Sequence, residues 1–184
     1  MKKPMPVLMF KGMSIILKIR DIFKPRDVVL KEVDIKPGFK VLDFGCGPGS
    51  YVTCTSKRVG EGGKVFALDI HPLAVKKVKE TALKLGLSNV ETICSDCQTG
   101  LQDNEIDIIF LYDIFHMLSD KRSVLSEIHR ILKNNGILSF SDHHMKEKDI
   151  LLAMNEIGLF ELGKKNKNTY CFVKKGFRGH AEFQ

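Results

Sequence analysis

Lys40-Val41-Leu42-Asp43-Phe44-Gly45-Cys46-Gly47-Pro48-Gly49-Ser50 is the stretch that decides how this chain reads. Val41 and Leu42 suit a parallel strand covered on both faces. The strand ends in an acid and runs into a glycine-rich turn, where residues without a Cβ can take positive φ and let a ligand approach the backbone. Pro48 fixes φ near the start of the next helix, and that helix points its unpaired N–H groups over the strand end. A dinucleotide fingerprint needs G-x-G-x-x-G. Here the glycines fall as G-x-G-x-G with Ser50 in the third place, which counts against an NAD-dependent oxidoreductase.

Outward from this turn, strands and helices alternate. Residues 50–59 read as a helix stopped by Gly60-Glu61-Gly62-Gly63, and residues 64–70 as a second strand carrying Asp69 at its end. His71 opens a helix as a surface residue, with Pro72 in the first turn and Gly86 as the stop. Residues 90–96 are a buried third strand, and 106–113 a fourth, the most apolar. Ser119 or Asp120 caps a helix with Val124, Leu125, Ile128, Ile131 and Leu132 inward. Asn134-Asn135-Gly136 breaks it before a fifth strand at 137–142. Residues 146–157 form a helix with Ile150, Leu151, Met154 and Ile157 inward. Residues 160–163 and 169–174 form an antiparallel hairpin across a Lys/Asn-rich turn. The pattern predicts a doubly wound α/β domain over residues 37–175, preceded by a helical lid or substrate segment (1–36) and followed by a loose tail (176–184).

Composition is that of an ordinary globular chain, but its +7 charge is unevenly placed. Residues 1–36 hold nine Lys/Arg against four Asp/Glu, residues 161–184 six against two, and the stretch between them fourteen against sixteen. The basic excess lies at the ends, which suits an anionic substrate, a membrane surface, RNA or merely solvated lysines. Five cysteines without framework spacing imply reduced thiols and a cytoplasmic protein. Cys94-x-x-Cys97 has no second pair, and no metal site is expected. Residues 5–23 are apolar but interrupted by Lys11, Lys18, Arg20 and Asp21. They read first as a lid over a substrate pocket, second as a membrane-surface helix, or plainly as a helix packed on the core.

The pattern Asp43-x-Gly45-x-Gly47-x-Gly49, with the order of strands and helices over residues 37–174, resembles the class I methyltransferases that use S-adenosylmethionine (SAM). Within them the likeness is to the methyltransferase type 11/25 group, related to ubiquinone/menaquinone-biosynthesis enzymes. The resemblance implies a Rossmann-like seven-stranded sheet in the order 3-2-1-4-5-7-6 with the last strand antiparallel. It also implies transfer of the sulfonium methyl of SAM to a small-molecule acceptor, with S-adenosylhomocysteine (SAH) as product.

Ligands of open α/β sheets sit beyond the carboxyl ends of the strands, where Asp43, Asp69, Asp96, Asp113 and Asp142 fall. Asp142 reads as a turn former or cap. Asp69, twenty residues after Gly49, suits bidentate acceptance from two ribose hydroxyls. The resemblance places Ile70 at the adenine, Asp96 on its amino group and the Cys97 N–H on a ring nitrogen. It places Asp43 by the methionine ammonium, Tyr112 and Asp113 beside the methionine part, and Gly45, Cys46, Gly47 and Gly49 against the ligand by backbone. Tyr51 is a weaker carboxylate contact. His116, His143 and His144, after the fourth and fifth strands, are the candidate bases. Met5, Met9, Phe10 and Met13 suggest an adaptable apolar wall for a lipophilic acceptor. The alternatives are an RNA methyltransferase using the basic ends, with nucleic acid the less favoured partner, and a SAM-binding scaffold without turnover.

Overall fold

The computed structural model describes residues 4–23 and 26–176; the tail expected to be loose falls outside them from residue 177 onward. The described residues form one seven-stranded sheet in the order β3-β2-β1-β4-β5-β7-β6. Its strands are β1 (Lys40–Phe44), β2 (Lys64–Asp69), β3 (Val90–Cys94), β4 (Ile106–Tyr112), β5 (Leu132–Ser141), β6 (Phe160–Lys165) and β7 (Tyr170–Lys174). β1 to β5 run parallel, while β7 is antiparallel to both β5 and β6. The helices are α1 (Val7–Phe23), α2 (Asp27–Leu30), α3 (Val52–Val59), α4 (Pro72–Leu85), α5 (Lys121–Ile131) and α6 (Glu147–Ile157), with a short 3-10 turn at Phe115–Met117.

Central strands must be apolar on both faces, because helices cover both. Leu42, Phe44, Phe66, Ile109 and Leu111 pack on one side with Leu125 and Ile128 of α5 and Met154 of α6. Val41, Val65, Ile108 and Phe110 pack on the other with Val52 and Val59 of α3 and Val78 of α4. The period of two along β1 puts Asp43 on the face of Val41, beneath α3. This makes Asp43 a carboxyl inside an apolar layer.

Several expectations need correction. Cys94 is exposed, because β3 is an edge strand with its outer face open. β5 starts at Leu132, not Ile137. The Asn134-Asn135-Gly136 stretch is absorbed by an irregularity between the Ile106↔Leu132 and Ile108↔Ile137 pairs; a local bulge can accommodate turn-like residues without ending a strand. His71 does open α4, but it is buried, with the Phe10 ring stacked on it at 4.3 Å.

Residues 5–23 contain the expected helix, α1, with most of its apolar residues turned outward. Phe10 and Ser14 are the buried residues of α1, whereas Leu8, Ile16, Ile19, Ile22 and Phe23 are exposed. A helix apolar nearly all round gives no signal of which face packs.

The N-terminal segment is tied to the sheet domain by charge. Asp27 pairs with Arg58 at 2.7 Å. The Glu32 carboxylate accepts from the Asn168 N–H and the Thr169 hydroxyl, pinning the β6–β7 turn.

Candidate active site

The turn after β1 is built by close approach. Gly45 and Cys46 donate their N–H groups to the Leu68 carbonyl at 2.8 and 2.9 Å, which folds the chain across the end of β2. Gly45 has φ +81°, and a Cβ there would lie 2.5 Å from Ile114 Cδ1, so Ile114 fences this glycine. Gly47 has φ +52° and nothing within 4 Å of its Cβ position. It is the open point of the turn, where a ligand can meet bare backbone. Gly49 packs on Val78 of α4. Cys46 is buried with Sγ near the Gly47 carbonyl, and burial pushes its thiol well above the usual range.

Two carboxyls face this turn. Asp69 Oδ2 accepts the Gly47 N–H at 2.9 Å and Oδ1 the His71 N–H at 2.8 Å. Burial raises its pKa, opposed by those two bonds. Asp43 is 3% exposed, and its Oδ2 has no hydrogen-bond partner among the described residues. Burial, then the nearby Asp69 charge, push Asp43 up to about 7. A buried acid without a partner is costly; a cation or donor arriving at this point removes the cost.

At the far side of Ile114 the three expected histidines come together. The His116 and His144 rings are 4.4 Å apart, and those of His143 and His144 3.9 Å. Asp142, with a fully covered side chain, lies 2.9 Å from His116 Nδ1 by both oxygens. It also accepts the His116 and His144 N–H groups. Burial would raise the Asp142 pKa, but the His116 ring and the two N–H groups outweigh it and hold the carboxyl below its usual value. A carboxylate only accepts, so Nδ1 carries the proton and Nε2 of neutral His116 presents its lone pair outward. Asp142 is thus the expected turn former, through the His144 N–H, and in addition holds the His116 ring.

Asp113 plays a similar part for His143: its Oδ1 accepts the His143 N–H at 3.1 Å and lies 2.6 Å from Nδ1. Asp113 sits at φ +56°, held by its N–H on the Ser141 carbonyl. Such a conformation is uncommon outside glycine and persists only where surroundings fix it.

The other expected residues are more dispersed. Tyr112 is in the core, its hydroxyl 2.7 Å from Ser139 Oγ and its ring stacked on Phe110, and the Tyr51 ring, just past the glycine turn, lies 4.9 Å from it. Ile70, Asp96 and Cys97 are half-buried around the end of β3, where the Cys97 N–H is held by Ser95 Oγ at 3.3 Å and the Ile70 carbonyl lies near Cys94 Sγ. The Tyr51 hydroxyl lies 3.5 Å from Arg26. Sequence reasoning missed Ile114 and the role of Asp142. The only available signal for the latter was an acid directly before two histidines at a strand end.

The methyltransferase-domain family matches residues 35–176. The chain belongs to that family. Among solved structures it is similar to a SAM-dependent methyltransferase from Aquifex aeolicus, with 33% identity, TM-score 0.73, and coverage of 84% of this chain and 94% of the other. Among curated proteins it is similar to the demethylmenaquinone methyltransferase of Geobacillus stearothermophilus, 29% identical over 70% of this chain. It is also similar to the ubiquinone/menaquinone biosynthesis C-methyltransferase UbiE of Paraburkholderia phymatum, 24% identical over 83% of this chain. The chain spans 55% and 65% of those two relatives.

The cofactor of this methyltransferase domain is SAM, and the residues present fit it. SAM carries an ammonium group, a sulfonium and two ribose hydroxyls; the turn offers an orphaned buried carboxyl, a second carboxyl with spare lone pairs, and an open glycine. Among the described residues no cluster of His, Cys, Asp or Glu has the makings of a metal site.

Proposed function

We propose that this protein moves the sulfonium methyl of SAM to a small, lipophilic acceptor, and that His116 takes the acceptor's proton. The observation that carries the reading is the His116–Asp142 pair, with His116 two residues beyond the Ile114 fence of the glycine turn. Bound SAM supplies an electrophilic methyl on a positively charged sulfur, so the protein's task is alignment and proton removal.

Asp43 would hold the ammonium end and Asp69 the ribose hydroxyls. Gly45, Cys46, Gly47 and Gly49 would bring backbone against the ligand. Ile70, Asp96 and the Cys97 N–H would flank the adenine, and Asp113 would border the methionine end. His116 Nε2 would accept the proton as the acceptor's electron pair forms the new bond to carbon. Asp142 holds the ring in the tautomer that can do so. The His144 ring stands beside His116 and the His143 ring beside His144, and both would face the acceptor.

A lipophilic aromatic acceptor is supported by the names of the curated relatives and by a cavity of about 190 Å³ beside Asp142 and His143. Met145, Ile150 and Tyr170 give it one apolar side, while Lys165, Asn166, Lys167 and Thr169 make the rest of it polar, so that it suits an acceptor with both a ring and oxygen substituents. Such an acceptor partitions into lipid, and a membrane surface is where the protein would meet it. The test is transfer of labelled methyl from SAM to phenols and quinols. Label in an acceptor, lost in His116→Gln, is the expected result. SAM and SAH binding with no acceptor ever labelled would make the protein a SAM-binding scaffold instead.

A further inference from the structure

Helix α1 packs by its narrow side. Phe10 and Ser14 face inward, yet Leu8, Ile15, Ile16, Ile19, Ile22 and Phe23 lie outward, with Leu8 84% and Phe23 80% exposed. At 100° per residue these six occupy an arc of roughly 120°, an unbroken apolar stripe with no charge in it. Contiguous exposed apolar surface of this kind marks an interaction site.

The border of the stripe is cationic. Lys11 and Lys18 follow one edge, and Lys77 of α4 stands against Lys18. Hydrogen bonding to Lys77 and its like charge lower the Lys18 pKa, a repulsion that an anionic surface would relieve. Residues 1–36 as a whole carry nine Lys/Arg against four Asp/Glu. A second copy docked stripe to stripe would set the same lysines against one another.

A spanning role is excluded by size. Seventeen residues of helix reach about 25 Å, short of the roughly 30 Å hydrocarbon core, and no helix among the described residues is long and apolar enough to cross a membrane.

We propose that α1 is an interfacial helix that seats the protein on an anionic lipid surface. The stripe enters the boundary between headgroups and acyl chains, and Lys11, Lys18 and Lys77 meet the headgroups. The inner side of α1 touches the cofactor region, through Phe10 on His71 and Arg20 3.5 Å from Ser50 at the end of the glycine turn. Seating the helix therefore sets the mouth of the site at the bilayer. That consequence rests on the lipophilic-acceptor reading; the docking itself does not.

The experiment is co-sedimentation of the full chain with phosphatidylcholine vesicles, with and without phosphatidylglycerol, alongside thermal shift with SAM on the same samples. Partitioning should rise roughly tenfold or more with phosphatidylglycerol and fall with salt. Ile16→Glu with Ile19→Glu should reduce it by roughly tenfold or more, and Lys11→Glu with Lys18→Glu should abolish the lipid preference, both variants keeping the SAM shift. Equal binding to both vesicles, undiminished binding of the Ile16/Ile19 variant, or a dimer that this variant dissolves would overturn docking. An unsubstituted chain that binds no vesicle while keeping the SAM shift refutes only the docking. Vesicle binding without any SAM shift refutes only the cofactor reading.

Discussion

Asp43 and Asp142 are the same residue type, both follow or end a parallel strand, and both are buried, at 3% and 5% exposure. Their carboxyls are nonetheless pushed in opposite directions, Asp43 up to about 7 and Asp142 below its usual value. Burial pushes both upward, harder at the more deeply enclosed Asp43. The opposite sign comes from the supply of donors: Asp142 has an imidazole and two backbone N–H groups, whereas Asp43 has an orphaned oxygen and a second acid close by. One carboxylate is already employed in orienting a histidine. The other is completed only by something that enters the turn.

The largest expected effect breaks the employed half. His116→Gln should lower kcat by roughly a hundredfold or more with KM for SAM little changed. Asp142→Asn should lower kcat too, because an amide can donate to His116 Nδ1 and favour the wrong tautomer. A kcat left intact in both would sever the pair from catalysis.

The next effect is in stability and carries opposite signs at the two acids. Asp43 has a raised pKa in the fold, so its contribution is fully present below about pH 4 and lost as pH rises through about 7. Asp142 has a lowered one, so its contribution is present above about pH 4 and lost as pH falls through its folded pKa. Thermal melts without SAM should therefore show a decline from pH 4 to 7 that Asp43→Asn flattens. Asp142→Asn should flatten only the loss on the acid side. Identical melting profiles for the two variants would erase the contrast.

The smallest effect separates core from site. Tyr112→Phe leaves the Ser139 hydroxyl without its partner and should cost about 1–2 kcal/mol of stability by denaturant titration, with SAM affinity unchanged. A large loss of affinity would put Tyr112 at the ligand after all.

What sequence could show divides along physical lines. The strand order and the glycine turn were legible because apolar runs, breakers and positive-φ glycines are local signals. The expected seven-stranded order is the order found. The outward face of α1 was not legible, since a helix apolar on both sides has no period to read. The partnership of Asp142 with His116 was not legible either: the two are 26 residues apart and meet only because β4 and β5 are neighbours. His71 looked like a surface cap because the ring that covers it, Phe10, comes from outside the alternating pattern.

The most direct measurement is a calorimetric titration of SAM and SAH into the full chain, repeated on Asp69→Ala and, at pH 6, on Asp43→Asn. The expected result is binding of both ligands by the wild-type chain, roughly tenfold or more weakened by Asp69→Ala. At pH 6 a proton should be released on binding, and Asp43→Asn should abolish that release, because the incoming ammonium selects the ionised carboxyl. No binding of either ligand, or affinity untouched by Asp69→Ala, would contradict the assignment of the turn as the cofactor site.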